Sequence, residues 1–424
     1  MSILIYNVTA VTMREECPLI EGAYILVEGN RISYVGAQKP AGHFDRVMDG
    51  DGKVAMPGLV NAHTHTAMTL LRSYADDMNL QDWLFQKIFP FEDTLTSAQV
   101  YAGSVNGIME MLSTGTTCFN DMYFFQEETA KAAELLGIRG ILNEGITDSV
   151  LEMKLEKTEK LIEQTKKGSG RLRVGISPHA VYTCSPETLR RCAAFAGEHG
   201  LRLHTHLSET LTENEDCQRD YGMSPAELMR ETGMFELPVT AAHGVWLSDG
   251  DMEILKAAGA AVVHNPVSNL KLASGVAEIP KLCGRGVNVA LGTDGASSNN
   301  NLDLFEEIKL AGILHKGVTR QPTVLPAWET LKMATVNGAR ALGYEDLGLL
   351  KEGYLADLIL VDFDVPHLSP NHNTISNLSY AVRGSDVAYT MVDGVFVYSR
   401  EKQAAKFSAA MKTAGAFYPE KTEE

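Results

Sequence analysis

The feature that most constrains the fold is an alternation. Between Met56 and about Leu342, short apolar runs with strand-like spacing are each followed by a stretch of helical spacing, eight times over. The apolar runs are residues 58–62, 116–121, 140–144, 172–177, 202–207, 239–242, 260–264 and 287–292. Helical periodicity follows them in segments such as 98–112, 127–136, 186–199 and 302–315. Strand-then-helix units build a parallel sheet with helices on its outside. Eight of them over about 290 residues predict an α/β fold, a closed (β/α)8 TIM-like barrel rather than an open doubly wound sheet.

The two ends read differently. Residues 3–6, 8–13, 23–28 and 31–35 are short strands punctuated by Gly29-Asn30 and Asp51-Gly52, and the same texture returns at 357–362, 387–392 and 395–398 around Asp393-Gly394. The expected organisation is therefore a small β-sandwich domain from residues 1–56 plus 346–424, wrapped around a catalytic barrel of residues 57–345. A length of 424 residues is sufficient for both. The last dozen residues read as a frayed polar tail.

Charge and composition remove several classes of function. Lys+Arg 37 against Asp+Glu 54 gives a net charge of −17, which repels phosphate backbones and anionic membrane surfaces, so neither nucleic acid nor membrane is an expected partner. No apolar stretch approaches the ~20 residues of a membrane span. Residues 1–7 lack a basic leader region, and a cytoplasmic location is expected. The six cysteines, Cys17, Cys118, Cys184, Cys192, Cys217 and Cys283, include no C-x-x-C pair and read as reduced structural thiols.

The chemistry lies at the ends of the apolar runs. His63 and His65 close the first, His179 follows the fourth, His206 and Glu209 close the fifth, His243 the sixth and Asp294 the eighth. In a parallel barrel every strand opens its C-terminal end onto one face, so residues distant in sequence converge in one cup. His63 and His65, two apart on a strand, point the same way. An H-x-H pair alone is a weak signal. Joined by His206 and Asp294 it becomes an N,N,N,O set suited to Zn²⁺, Fe²⁺ or Mn²⁺ with one position open for water. His179 and His243 are in reach as well, but an open coordination position excludes six protein donors, so at least one of them faces substrate. Glu209, three residues beyond His206, is placed to shuttle the proton of an activated water, which is the chemistry of hydrolysis or hydrolytic deamination.

These residues carry a resemblance. Pro57-Gly-Leu-Val-Asn-Ala-His-Thr-His, His206, His243, Thr293-Asp294-Gly295 and the split β segments resemble the amidohydrolase superfamily over essentially the whole chain. Within it, His65-Thr-Ala-Met-Thr-Leu-Leu-Arg-Ser-Tyr-Ala-Asp-Asp, Leu80-Gln-Asp-Trp-Leu, Pro90-Phe-Glu and Gly292-Thr-Asp-Gly-Ala-Ser-Ser-Asn-Asn-Asn-Leu-Asp resemble the 5′-methylthioadenosine/S-adenosylhomocysteine deaminase branch, whose relatives include guanine deaminases and triazine hydrolases.

The resemblance implies one divalent metal, zinc in most members, on His63, His65, His206 and Asp294. Arg173-Val-Gly-Ile-Ser-Pro-His contains no lysine, so a lysine-bridged binuclear centre is not implied. It further implies that Asp294 takes the proton of the attacking water, Glu209 protonates the purine ring nitrogen, His243 orients the nucleophile, Glu92 holds the ribose hydroxyls and His179 lies beside the nucleoside. Trp83 and Phe91, expected in a loop after the first strand, are candidates for an apolar slot around a thioether tail. Ser298 either faces the ligand or caps the next helix, and Arg72 is read as a surface or supporting arginine. Where relatives often place an arginine after the third strand, this chain reads Leu142-Asn-Glu-Gly-Ile-Thr-Asp.

The expected function is thus hydrolytic deamination of 5′-methylthioadenosine, S-adenosylhomocysteine or adenosine, a small-molecule substrate, by a chain that is a homo-oligomer as relatives commonly are. The alternatives are a related hydrolase of guanine, another purine or pterin, or a chlorotriazine, and an inactive barrel kept as a binding module. Retention of His63, His65, His206, Glu209, His243 and Asp294 speaks against the last. The H-x-E and P-C-x-x-C pattern of the base-editing zinc deaminases does not occur.

Overall fold

The computed structural model describes residues 1–401, so the tail expected at the C-terminus lies outside the described residues. Five strands come first: β1 (Ser2–Val11), β2 (Leu19–Glu28), β3 (Arg31–Gly36), β4 (Arg46–Asp49) and β5 (Lys53–Pro57). The barrel strands follow as β6 (Leu59–Thr64), β7 (Thr116–Tyr123), β8 (Arg139–Ile146), β9 (Leu172–Pro178), β10 (Leu203–Leu207), β11 (Val239–His243), β12 (Ala261–His264) and β13 (Asn288–Leu291). Three more, β14 (Leu358–Asp362), β15 (Val387–Val392) and β16 (Val395–Ser399), complete the described chain.

Strands β6 to β13 neighbour one another in strict sequence order and are parallel throughout. This is the barrel that the eightfold alternation predicts. Their residues are almost all buried, as both faces of a helix-wrapped parallel sheet must be. The helices between them are set by ordinary end signals. Pro186–His199 starts at Ser185, whose hydroxyl accepts from Thr188 N, has Pro186 in its first turn, and stops at Gly200 with φ +64°.

The first and last barrel strands meet without a ladder of their own. Asp294 N donates to His63 O at 3.0 Å, and the Asn61 side chain bonds both Thr293 Oγ1 (2.7 Å) and Thr293 N (3.0 Å). Ala334 O accepts from Val60 N at 2.8 Å, and Asn337 bridges to Val289 O at 3.0 Å, covering the junction from outside. A Cβ on Gly292 would stand 2.8 Å from His63 O, so only glycine allows this approach.

The chain ends meet in one sheet of order β16-β15-β14-β5-β1-β2-β3, with β4 also on β1. Strand β14 pairs antiparallel with β5 from Leu358↔Pro57 to Asp362↔Lys53, joining the N- and C-terminal contributions directly. Arg139, at the start of β8, forks onto Asp357 (2.7 and 3.0 Å) and reaches Asp393 (3.1 Å), tying the barrel to this sheet.

Candidate active site

Strand alternation brings His63 and His65 to the barrel mouth together, and β10 adds His206. One ligand atom from each of His63, His65 and His206 lies within 4.8 Å of the others, and the same holds for His63, His243 and Asp294. His63 Nε2 and His65 Nε2 stand 3.4 and 3.3 Å from Asp294 Oδ1, and the Nε2 atoms of His65 and His206 are 3.3 Å apart.

The opposite ring nitrogens fix what these rings offer. His65 Nδ1 donates to Met122 O at 2.5 Å and His206 Nδ1 to His179 O at 2.9 Å, so each Nε2 points inward. For His63 the orientation passes through a second histidine. His204 Nδ1 donates to Thr240 O at 2.9 Å, so its Nε2 accepts from His63 Nδ1 at 2.8 Å, leaving His63 Nε2 as an acceptor. That atom is fully buried and has no hydrogen-bond partner. Burial lowers the His63 pKa to about 4 and those of His204 and His206 well below the ordinary value, keeping these rings neutral. Against burial, the Asp294 carboxylate raises His65 to about 9, so a metal seated there would displace a proton from that ring. Three imidazole nitrogens and a carboxylate, each oriented from behind, fit a divalent metal.

Two buried carboxylates flank the cluster and are driven in opposite directions. Burial pushes Glu209 up, while at Asp294 the His63 and His65 contacts outweigh burial and hold the carboxyl well below its ordinary range. Asp294 Oδ1 also accepts from Gly295 N at 2.8 Å and its Oδ2 from Ser268 Oγ at 2.6 Å. Glu209 Oε2 lies 3.6 Å from His243 Nε2, and Ser274 Oγ donates to Oε1 at 3.4 Å. The Glu209 turn is held by Glu213, whose carboxylate accepts from Ser208 N (3.0 Å) and Glu209 N (2.8 Å). His243 and Asp294 both have left-handed backbones, φ +74° and +60°, local strain of the kind that concentrates at functional sites.

A cavity opens over the cluster, lined by His65, Glu209, His243, Asp294, His179 and Glu92 and closed by the apolar Trp83, Leu84, Phe89 and Leu272. Glu92 is buried, its Oε1 has no partner, and burial raises its pKa to about 7 despite the nearby Tyr123 hydroxyl and His65. His179 meets His206 edge to face at 4.7 Å between ring centroids, and its Nδ1 lies 2.9 Å from Thr183 Oγ1.

Three expectations change. Trp83 does line the cavity, but the segment is not a loop: residues 80–92 are helical, with a π-turn at Trp83–Ile88. Phe91 turns instead to Tyr74, 5.0 Å between centroids. Ser298 is absent from the cavity lining; its Oγ is 3.0 Å from Ser268 Oγ, behind Asp294, and 3.2 Å from Gly295 O. Arg72, read as a surface or supporting arginine, is paired with Glu110 and bonded to Asn300 O and does not line the cavity. Sequence reasoning missed His204, Ser268, Asn269 and Glu213. His204 had a signal, since it stands two before His206 as His63 stands two before His65.

A parallel barrel with this donor set and two opposed carboxylates at its mouth defines a metal-dependent hydrolase. The sequence pattern described as the amidohydrolase family matches residues 54–397. The 5-methylthioadenosine/S-adenosylhomocysteine deaminase of Thermoanaerobacter pseudethanolicus is 45% identical over 403 residues, 94% of each chain. The 5'-deoxyadenosine deaminase of Methanosarcina mazei is 47% identical over 400 residues, covering 92% of this chain and 91% of its own. A crystal structure of an adenosine deaminase from Xanthomonas campestris with bound zinc superposes with a TM-score of 0.92 at 33% identity, covering 98% of this chain and 97% of that one. The chain belongs to the amidohydrolase family.

Proposed function

We propose that the protein is an aminohydrolase converting adenine nucleosides, with 5′-methylthioadenosine and S-adenosylhomocysteine foremost and adenosine included, to the hypoxanthine nucleoside and ammonia. The observation that carries this is the pair of buried carboxylates, Asp294 held ionised and Glu209 pushed up, on either side of His243 in one cavity. The relatives' activities support the same reaction class.

His63, His65, His206 and Asp294 would hold one divalent ion, zinc by analogy with the Xanthomonas enzyme, and when bound it supplies Lewis-acid activation of water at neutral pH. Asp294, ionised and fixed by Ser268 and Gly295, accepts the proton of the attacking water. Glu209, whose raised pKa favours the protonated form, donates to the purine ring nitrogen as C6 becomes tetrahedral. His243 Nδ1, anchored 2.8 Å from Asn269 Oδ1, aims the other ring nitrogen at the reacting centre. Glu92 offers an unpartnered acceptor oxygen to the ribose hydroxyls, and His179 and Trp83 bound the nucleoside. The apolar walls and burial exclude water, so these groups act at low dielectric.

The same reading keeps residues 57–345 as the catalytic domain and residues 1–56 with 346–424 as the small one, supported by the pairing of β5 with β14. All six cysteines are unpaired, which supports the reducing cytoplasm as the location. Homo-oligomerisation is part of the proposal and is checked by light scattering. No helix among the described residues is long and apolar enough to cross a membrane.

The test is ammonia release by metal-loaded protein from methylthioadenosine, S-adenosylhomocysteine, adenosine, guanine and a chlorotriazine. Turnover of the adenine nucleosides upholds the reading. Turnover of guanine or the triazine alone overturns it, beginning with Glu92.

A further inference from the structure

One buried carboxyl lies behind the site rather than in it. Glu307, in the first turn of the helix Leu304–Thr319, is fully buried and makes no ion pair among the described residues. A carboxyl taken out of water without a cation is costly unless its oxygens are satisfied, and burial pushes this one well above its ordinary range. The helix itself does not need it: Asp303 caps the N-terminus by accepting from Phe305 N at 3.0 Å, and the neighbouring Glu306 is exposed. Both Glu307 oxygens leave the helix instead, Oε2 accepting from Val267 N at 3.3 Å and Oε1 from Asn299 Nδ2 at 2.6 Å.

These two contacts lead to either side of one residue. Val267 precedes Ser268, whose hydroxyl donates to Asp294 Oδ2. Asn299 Nδ2 also donates to Thr293 O at 2.7 Å, in the residue before Asp294, and Asn299 N to Gly295 O at 3.0 Å, in the residue after it. Asp294 itself has φ +60°, a backbone that a residue other than glycine keeps only where its surroundings over-determine it.

We propose that Glu307 is a positioning residue for Asp294: from an outer helix, its one carboxyl locks the Val267–Ser268 turn against the Thr293–Gly295 turn and so sets where Asp294 points. It bonds none of the metal-ligand candidates and does not line the cavity, so it acts only through these two turns. The arrangement needs two acceptors at one point, because Val267 N and Asn299 Nδ2 arrive there together. A carboxyl group supplies both, a glutamine amide one and an alanine none. The inference rests on the reading of Asp294 as metal ligand and proton acceptor.

The experiment compares wild type, Glu307→Gln, Glu307→Ala, Ser268→Ala and the double variant Ser268→Ala/Glu307→Ala by two readouts. One is kcat and KM of the metal-loaded protein with methylthioadenosine; the other is the affinity of the metal-free protein for Zn²⁺ in competition with a chromophoric chelator. In Glu307→Ala, kcat falls about tenfold with KM within about twofold, Zn²⁺ affinity weakens about tenfold, and Glu307→Gln lies between it and wild type. In the double variant the losses overlap: once Ser268 is gone, Glu307→Ala adds only about threefold, because part of its effect passes through that hydroxyl. Fully additive losses in both readouts overturn the assignment, as do a loss confined to KM and an unchanged kcat and Zn²⁺ affinity in Glu307→Ala. If Glu307→Ala does not fold, the same comparisons made with Glu307→Gln decide. Absence of ammonia from the wild type overturns the nucleoside reading itself, and Zn²⁺ affinity then decides the role of Glu307 alone.

Discussion

Ser268 Oγ donates to Asp294 Oδ2 at 2.6 Å, from the first turn of the helix Pro266–Lys271, leaving Asp294 Oδ1 to face His63 and His65. The next residue, Asn269, accepts from His243 Nδ1 at 2.8 Å. One short helix thus orients both the acidic group proposed as proton acceptor and the imidazole beside it.

Replacing Ser268 by Ala frees one Asp294 oxygen and leaves it buried without its donor. Hydrogen bonds to charged groups are worth about 1.5–3 kcal/mol, so kcat falls about tenfold to a hundredfold. Steady-state kinetics with S-adenosylhomocysteine and methylthioadenosine check this, and both substrates lose equally because the change lies beside the reacting base that they share.

Glu209 lies outside the group of atoms fitted to a metal. Glu209→Gln is therefore expected to keep full metal content by elemental analysis while kcat drops by about 10²–10⁴, the usual worth of a positioned general acid. A variant that loses metal along with activity would contradict the proton-donor role.

His204 touches no substrate, yet it alone receives the His63 Nδ1 proton. His204→Ala unties the His63 ring, and metal affinity is expected to weaken about ten- to hundredfold, as for other residues that orient metal-bound histidines. Competition against a chromophoric chelator measures it.

Glu92 keeps its proton up to about pH 7, against an ordinary 4.5, because of burial. The folded state then holds a proton that the unfolded chain has released between those values. Stability from this group is fully present below about pH 4.5 and is lost as pH rises through 7. Urea titrations of Glu92→Gln against wild type are expected to show a shallower decline over that window. The same variant, with one acceptor oxygen fewer, raises KM for nucleosides above pH 7, where wild-type Glu92 is ionised.

Arg139 and Asp357 are both nearly inaccessible and form a bidentate pair across the boundary between barrel and sheet. Arg139→Ala strands a buried carboxylate and is expected to cost about 3–5 kcal/mol in chemical denaturation. A change of only a few tenths would mean that water reaches Asp357 once the guanidinium is gone.

The barrel was legible because period-two and period-3.6 patterns are written in the apolar residues themselves, and His63, His65 and His206 were legible because strand alternation fixes where they point. His204 obeyed the same rule in Leu203-His-Thr-His and was overlooked only because it turns toward another histidine rather than into the cavity. Ser298 was misjudged between two roles, since what occupies it is Ser268, thirty positions earlier and brought near only by the fold. The helical backbone around Trp83 is hard to read from sequence, because Pro90 and the aromatic cluster 83–91 interrupt a helical pattern and the π-turn has no sequence period.

The junction between β6 and β13 gives the site a mechanical meaning. The circle of strands is fastened there by Asn61, Thr293 and a single backbone bond from Asp294 to His63, and two members of the donor cluster are themselves part of the clasp. An ion held by His63 and Asp294 would tie the two ends of the barrel together, so its binding energy would also be closure energy. Chelation should therefore loosen the molecule first along this seam, with amide hydrogen exchange rising at residues 59–64 and 288–294 ahead of the other barrel strands.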